Sequence, residues 1–295
     1  MIDKIIVLTG PTAIGKTDIS LAIAKSYDGE IINADASQFK KELNIGTAKI
    51  DLRTTDVVHH LIDTIGPMDN FNVSDYQTQG RKLIEEIKGR GHTPIVVGGS
   101  GLYISSLLYD YHFDSEKRDD KSLLNDLSNE ELMDRLLQID EDTAKKIPLN
   151  NRKRLLRALE VALSGNKISE NTDGDKLLYD AVIICLDAPR DVLYSRINKR
   201  VDIMLDNGLI DECKKLKDKG YNLDKIGDIG YSEVNKYLNG DYSYHEMAEE
   251  IKKRTRHYAK RQMTWFRNKL SPIFIEMDYD DISNVINKIR KAIEG

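Results

Sequence analysis

Cysteine is scarce in this sequence: only Cys185 and Cys213 occur among 295 residues. Neither stands in a CxxC pair or a Cys/His cluster, which excludes a structural zinc site of the usual spacing. Two reduced thiols are expected, one in a buried strand and one on a helix. Long apolar runs are missing as well. Nothing approaches the roughly 18 apolar residues of a membrane span. The apolar start M-I-D-K-I-I-V-L-T-G lacks the length and cleavage region of a signal peptide. A cytoplasmic protein with no membrane partner is therefore expected. Whole-chain basicity is also lacking, since the formal charge is −5. The broad electrostatic footprint of a nucleic-acid binder is thus absent, and any such recognition falls to local patches. There is no internal repeat and no low-complexity tract.

What is present is an alternation of strands and helices. Lys4 to Leu8 is a continuous β-branched run that suits a strand buried on both faces. Thr17 to Tyr27 carries Ile19, Ala22 and Ile23 at helical spacing. Glu30 to Ala34 reads as a second strand. Ser74 is placed to open a helix, with Gln77 completing a capping box, that ends near Gly89. Thr93 to Val97 is another buried strand, closed by Gly98 and Gly99. After Asp114 the sequence becomes charged, helical in period and poor in strand formers, to about Asp175. The strand pattern resumes over Tyr179 to Asp187. Pro189 suits the first turn of a helix running towards Gly208, and a further helix reaches Gly220. Ser243 with Glu246 caps a long helix to about Leu270. Pro272 to Met277 reads as a late strand and Ile282 to Ile293 as a terminal helix. The expected fold is α/β: a P-loop parallel sheet flanked by helices, with a smaller inserted all-helical domain. The core would comprise 1–113 and 176–295, and the insertion 114–175.

The segment G-P-T-A-I-G-K-T, Gly10 to Thr17, fits GxxxxGK(S/T) and lies between a strand and a helix. Gly10, Pro11, Thr12, Ala13, Ile14 and Gly15 supply a tight loop whose N–H groups converge on an anion. The following helix adds the positive end of its dipole. Lys16 brings a point charge to the outer phosphates. The Thr17 hydroxyl is a ligand for Mg²⁺ that bridges phosphate oxygens. Such loops are shared by ATP-binding and other nucleotide-binding kinases, NTPases and transferases, so the loop alone does not name a reaction.

Further segments follow in order: E-I-I-N-A-D-A-S-Q at Glu30, I-G-T-A-K at Ile45, H-H-L-I-D at His59 and V-G-G-S-G-L-Y at Val97. Then come R-L-L-R-A-L-E-V at Arg154, R-I-N-K-R-V-D-I-M at Arg196, I-G-Y at Ile229 and T-R-H-Y-A-K-R-Q-M-T-W-F-R at Thr255. This ordered set, spanning nearly the whole chain, resembles the tRNA dimethylallyltransferase family. The resemblance implies transfer of a dimethylallyl group from dimethylallyl diphosphate to N6 of adenosine 37, 3′ of the anticodon. The tRNAs served would be those reading codons that begin with U, and diphosphate would be released. The loop would then hold the prenyl donor's diphosphate.

On that resemblance Asp35 is the general base that takes a proton from the exocyclic amine; the competing reading is a loop-capping aspartate. Lys16, Mg²⁺ and an arginine, Arg200 rather than Arg196 by the family pattern, neutralise the leaving diphosphate. Ser100, where the family usually carries threonine, offers a hydroxyl to the reacting centre or simply caps a helix. The resemblance implies tRNA contacts from Asp35, Ala36, Ser37, Gln38, Ser100, Lys153, Arg154, Arg157, Gly230 and Tyr231. The target base would be flipped out of the anticodon loop of the stem-loop. Arg152 joins the Lys153, Arg154 and Arg157 cluster. Lys252 to Lys269, cationic throughout and interleaved with Tyr258, Trp265 and Phe266, offers a second phosphate footprint, unless its aromatics are core. A monomer is expected.

The sequence departs from the family at Ala36, at Phe39 and Lys40, at Leu149 and Asn151, and at Ser232. These departures suggest an altered tRNA preference. Three other readings compete. An adenylate isopentenyltransferase acting on free AMP would not need the insertion or the cationic helix. A P-loop small-molecule kinase would carry an arginine-rich lid. A tRNA-binding module without catalysis would not need Lys16, Thr17 and Asp35 intact. Replacing both Arg154 and Arg157 by alanine is expected to weaken tRNA binding and flatten its dependence on salt. An unchanged slope of affinity against salt concentration would show that these arginines do not meet phosphates.

Overall fold

The structure is a computed structural model describing residues 4–113, 122–165, 168, 174 and 176–295. Parts of the expected insertion, 114–121 and most of 166–175, lie outside the described residues. The chain divides into two compact units: Met1–Tyr109 with Leu177–Gly295, and Asp110–Lys176. The second is slightly wider than the 114–175 expected from sequence.

The first unit is built on one parallel sheet. Strand β1 (Ile5–Thr9) is fully buried, as its β-branched run requires. Helix α1 (Lys16–Ser26) leads to β2 (Gly29–Asn33), and the two-residue edge strand β3 (His59–His60) pairs beside β2. Helix α2 (Val73–Gly89), β4 (Thr93–Gly98) and α3 (Gly101–Leu108) follow. After the second unit come β5 (Ala181–Asp187), α8 (Arg190–Asp206), α9 (Leu209–Asp218), α10 (Leu223–Ile226) and α11 (Tyr231–Leu238). The long α12 (Tyr244–Lys269), β6 (Ile273–Glu276) and α13 (Ile282–Glu294) complete it. The strand order is β3-β2-β4-β1-β5-β6, and every pairing is parallel.

Strand alternation sends side chains to two cores. Ile6, Leu8, Ile184 and Leu186 meet α1, α8 and α13 on one face. Ile5, Val7, Ile183 and Cys185 meet α2, α3 and α12 on the other. Each such side chain contributes about 1.5–3 kcal/mol on burial. Cys185 and Cys213 are free and buried, and burial pushes both thiols up to about 12. They are inert packing residues.

Two helix starts differ from the sequence expectation. The box opening α2 is Asn72 with Asp75, not Ser74 with Gln77. Asn72 has the extended backbone of a cap and accepts from both Ser74 N and Asp75 N. Gln77 is buried and donates to Ser106 O at 2.8 Å. Pro189 is the cap before α8 rather than its first residue.

A third core gathers the C-terminal half of α8, α9, α10, α11 and the start of α12. Its polar hinge is Glu212. That carboxylate accepts from Asn44 N (2.9 Å), Ile45 N (2.8 Å), Gly46 N (3.1 Å) and Tyr231 Oη (2.8 Å). It ties the 44–46 turn to α9 and α11.

The second unit contains α4 (Ser122–Asn125), α5 (Asn129–Ile139), α6 (Glu141–Ala144) and α7 (Arg152–Leu163), with no strand among the described residues. Leu132, Leu136, Leu155 and Leu159 form its own core. Arg152 is structural here: it donates to Leu127 O, Asn129 Oδ1 and Asn125 O. Among the described residues no helix is long and apolar enough to cross a membrane.

Glu212→Ala strands three backbone N–H groups, a loss expected to lower unfolding free energy by about 3 kcal/mol. Urea unfolding measures it; a change below about 0.5 kcal/mol would show that water replaces the carboxylate.

Candidate active site

A parallel sheet presents functional groups at the carboxyl ends of its strands. Here β2, β4 and β1 are neighbours, and their exits carry Asp35, Ser100 and the Gly10 to Thr17 loop. Proximity at β2 and β4 depends on Gly98: an added Cβ would lie 2.1 Å from the Ala34 carbonyl carbon. With hydrogen there, the two backbones cross. Ala34 N donates to Val97 O (2.8 Å) and Ser100 N to Ala34 O (3.0 Å).

The phosphate loop turns sharply at Gly10, with φ 145° and Leu186 O only 2.7 Å from any added Cβ. Three contacts brace it from outside. Gln262 of α12 accepts from Thr12 N at 2.9 Å and donates to Gly99 O at 2.9 Å. Arg196 donates to Ala13 O at 3.0 Å and lies over the Tyr279 ring at 3.8 Å. Tyr279 Oη donates to Ile14 O at 3.2 Å. Lys16 curls back over the loop, its Nζ donating to Gly10 O and Pro11 O at 2.9 Å each. Burial lowers the Lys16 pKa to about 8, with Asp35 opposing the shift and Arg200 reinforcing it.

Asp35 caps the short 3-10 turn Ala36–Phe39, accepting from Ser37 N at 3.2 Å. The loop-capping alternative is thus real, yet the carboxylate also faces two cavities. One, about 410 Å³, is lined by Thr12, Gly15, Lys16, Thr17, Asp35 and Arg200. The other, about 330 Å³, is lined among others by Asp35, Ala36, Ser37, Arg200, Asp228 and Tyr258. Thr12, Asp35 and Arg200 belong to both, so the phosphate-side cavity and the second cavity meet at them. Burial raises the Asp35 pKa above the usual carboxylate range, and Lys16 and Arg200 pull it back. Burial pulls the Arg200 guanidinium down, against the Asp35 charge.

Ser100 precedes α3 but makes no side-chain cap. Its Oγ instead accepts from Ala36 N at 3.0 Å, which binds the β4 exit to the Asp35 turn. Asn33 completes the frame, accepting from Asp35 N (2.9 Å) and donating to Leu61 O (2.9 Å). Gln38 lines a narrow crevice with Lys16, Thr17 and Asp35.

The remaining expected RNA contacts divide. Lys153, Arg154 and Arg157 are exposed on α7 of the second unit. Tyr231 is fully buried, its hydroxyl engaged by Glu212. Its phenol is therefore a core group. Gly230 N donates to Glu233 at 2.8 Å as the helix start. The cationic stretch is also partly spent inside the protein. Lys252 pairs with Asp202 (2.8 Å), Lys253 with Glu250 (3.1 Å), Arg254 with Glu233, and Arg267 with Asp187 (3.1 Å). Phe266 is buried and Trp265 packs half-buried on the same core, whereas Tyr258 lines the second cavity.

Sequence reading missed Tyr258, Gln262 and Asp228 as site residues. The i, i+4 spacing of Tyr258 and Gln262 was a usable signal, since it places both on one face of α12. Asp228 sits in a turn that carries no periodic signal.

Among the described residues no group of three or more His, Cys, Asp or Glu is placed to hold a metal. A Mg²⁺ carried on a diphosphate asks little of the protein, one or two oxygen ligands. Thr17, exposed beside the loop, fits as such an oxygen ligand.

A glycine loop at the exit of β1, a carboxylate at the exit of β2, and Lys16 and Arg200 lining the same cavity define a P-loop α/β protein. Within that class, the profile of the IPP transferase family matches residues 38–269. The tRNA dimethylallyltransferase of Anoxybacillus flavithermus is 43% identical over 99% of this chain and 97% of its own length. That of Staphylococcus saprophyticus is 40% identical over 98% and 96%. The full-length tRNA isopentenylpyrophosphate transferase of Bacillus halodurans superposes with a TM-score of 0.74 at 38% identity, covering 99% of this chain and 97% of that one. A eukaryotic dimethylallyltransferase acting on tRNA gives 0.86 at 26% identity, over 98% and 77%. The chain belongs to the IPP transferase family.

An anion held by the loop favours the charged form of Lys16, whose pKa in the free protein is about 8. Affinity for an alkyl diphosphate, itself fully ionised above about pH 7, is therefore complete below pH 8. It falls above that by about tenfold per pH unit until the bound-state pKa is reached. Calorimetric titration between about pH 7 and 9.5 measures this; affinity flat across that range would show that Lys16 stays charged without ligand.

Proposed function

We propose that this chain transfers a dimethylallyl group from dimethylallyl diphosphate to N6 of the adenosine 3′ of the anticodon, position 37, in tRNAs reading codons that begin with U. The observation that carries the reading is the meeting of two cavities at Asp35: one leads to the Gly10 to Thr17 loop, the other is open enough for a flipped base. The curated relatives named tRNA dimethylallyltransferase support it over nearly the full chain.

The chemistry follows from the residues. The donor's diphosphate sits on the loop N–H groups, with Lys16 released from Gly10 O and Pro11 O to meet it. The adenine amine enters the second cavity beside Asp35 and Tyr258. As the N–C bond forms, Asp35 takes the proton that the amine loses. As the C–O bond breaks, the charge growing on diphosphate is met by Lys16, Arg200 and the helix dipole of α1. Mg²⁺, held by Thr17 and diphosphate oxygens, would add charge neutralisation there. Ser100 keeps the Asp35 turn in place through Ala36 N. Ala36, Ser37 and Gln38 border the acceptor base. Lys153, Arg154 and Arg157 meet tRNA phosphate from the second unit. All these residues come from one chain, so a monomer suffices, and tRNA as substrate places the reaction in the cytoplasm.

Labelled dimethylallyl diphosphate, incubated with tRNA, AMP or neither, tests the reading. Label is expected in tRNA alone. Label in AMP would make the enzyme an adenylate isopentenyltransferase, and none in either would remove the transfer. Asp35→Asn is expected to lower turnover by about a thousandfold or more with tRNA binding nearly intact. Activity within a few fold of wild type would remove Asp35 as base.

A further inference from the structure

Lys40 and Asp228 have no part in the chemistry above, yet they are joined beside it. Lys40 ends the turn Ala36–Phe39, and Asp228 lies between α10 and α11. Lys40 Nζ meets Asp228 Oδ2 at 2.8 Å, and both side chains are more than four-fifths buried, at 18% and 16% exposure. Lys40 also donates to Ile226 O at 2.5 Å. The other Asp228 oxygen accepts from Ser37 Oγ at 2.5 Å. Ser37 N donates in turn to Asp35 Oδ1 at 3.2 Å. Ser37 is thus a spacer with two ends, its hydroxyl on one carboxylate and its N–H on the other.

We propose that Asp228, anchored by Lys40, is a positioning residue that acts through Ser37 to hold the Asp35 carboxylate in the acceptor cavity as an effective base. The proposal rests on the transfer reading above. Asp35 stands near two cations, Lys16 and Arg200, which by themselves draw the carboxylate towards the phosphate side and make it a weaker base. Fixing Ser37 fixes the one N–H that holds Asp35 at its own turn. The Asp228 charge also works against the two cations and raises the proton affinity of Asp35. The charged and titratable groups facing Asp35 are Lys16 from the loop, Arg200 from α8, Tyr258 from α12 and Asp228 itself. Lys40 sets how much of the Asp228 charge is felt.

The two partners therefore have opposite effects on pH dependence. Asp228→Asn removes a negative charge while keeping an acceptor for Ser37. Lys40→Met leaves that negative charge uncompensated. With the wild-type protein as reference, kcat for labelled transfer to tRNA is measured against pH, with KM for both substrates. Asp228→Asn is expected to lower kcat about tenfold and shift the acid limb down by roughly half a pH unit. KM for dimethylallyl diphosphate should stay within about twofold. Lys40→Met is expected to shift the same limb upward. Asp228→Glu should recover most of the loss. A merely structural role would lower the rate evenly and move no limb. Limbs unmoved in both variants, or moved the same way, would overturn the proposal while wild-type transfer stood. Absence of transfer by the wild-type protein would overturn the parent reading and this one together.

Discussion

The site depends on one electrostatic arrangement: a carboxylate, Asp35, lying within the fields of Lys16 and Arg200 where two cavities meet. None of the three charges is cheap to bury. Burial alone pushes Asp35 towards its neutral form and pulls both cations down. Asp35 offsets the burial of each cation and is offset by both, whereas Arg200 adds to the cost of charge on Lys16. That mutual dependence sets the geometry. The loop must keep Lys16 low, α8 must bring Arg200 in from the side, and the β2 exit must stop short at Asp35.

The scaffold serves that arrangement by backbone contacts more than by side-chain bulk. The Ala34 bonds to Val97 and Ser100, the acceptance from Ala36 N by the Ser100 hydroxyl and that from Asp35 N by the Asn33 side chain are all bonds to main-chain groups. Gln262 does the same for the phosphate loop, reaching from α12 to Thr12 N and Gly99 O. Bonds of this kind locate a group to a fraction of an ångström while leaving the cavity walls free for substrate. The departures from the family lie around this frame. Phe39 packs in the core against Phe71, Tyr76 and Tyr103, while Lys40 joins Asp228 at the cavity wall. Asn151 caps α7, and Ser232 accepts from Arg254. Each of these side chains thus has an internal partner.

Charge on an acidic protein is equally a matter of context. The stretch from Lys252 to Lys269 reads as one cationic surface, but Lys252, Lys253, Arg254 and Arg267 are paired with acids of the same unit. Arg261 lies by Tyr258 at the cavity instead. Lys153, Arg154 and Arg157 are exposed on α7, and among the described residues only Arg157 of the three has a nearby acid, Glu160 at 3.6 Å.

The sequence by itself determined the parallel sheet, the order of helices and strands, the phosphate loop and the family. Those rest on local patterns, β-branched runs, 3.6-residue spacing and a glycine loop between strand and helix, whose meaning does not depend on distant neighbours. It placed the long α12 by its Ser243 and Glu246 box, and it missed the Asn72 box because Asn72 and Ser74, two residues apart, compete for one cap. Only the tertiary structure decided which polar groups face the site. Tyr231 and Tyr258 are the same residue type, yet one is sealed under Gly46 and Glu212 and the other lines the cavity. Asp228 lies far from Asp35 in sequence and shares Ser37 with it in space. Which face a side chain presents follows from how helices pack over the sheet, and that is a sum of long-range contacts no local window contains.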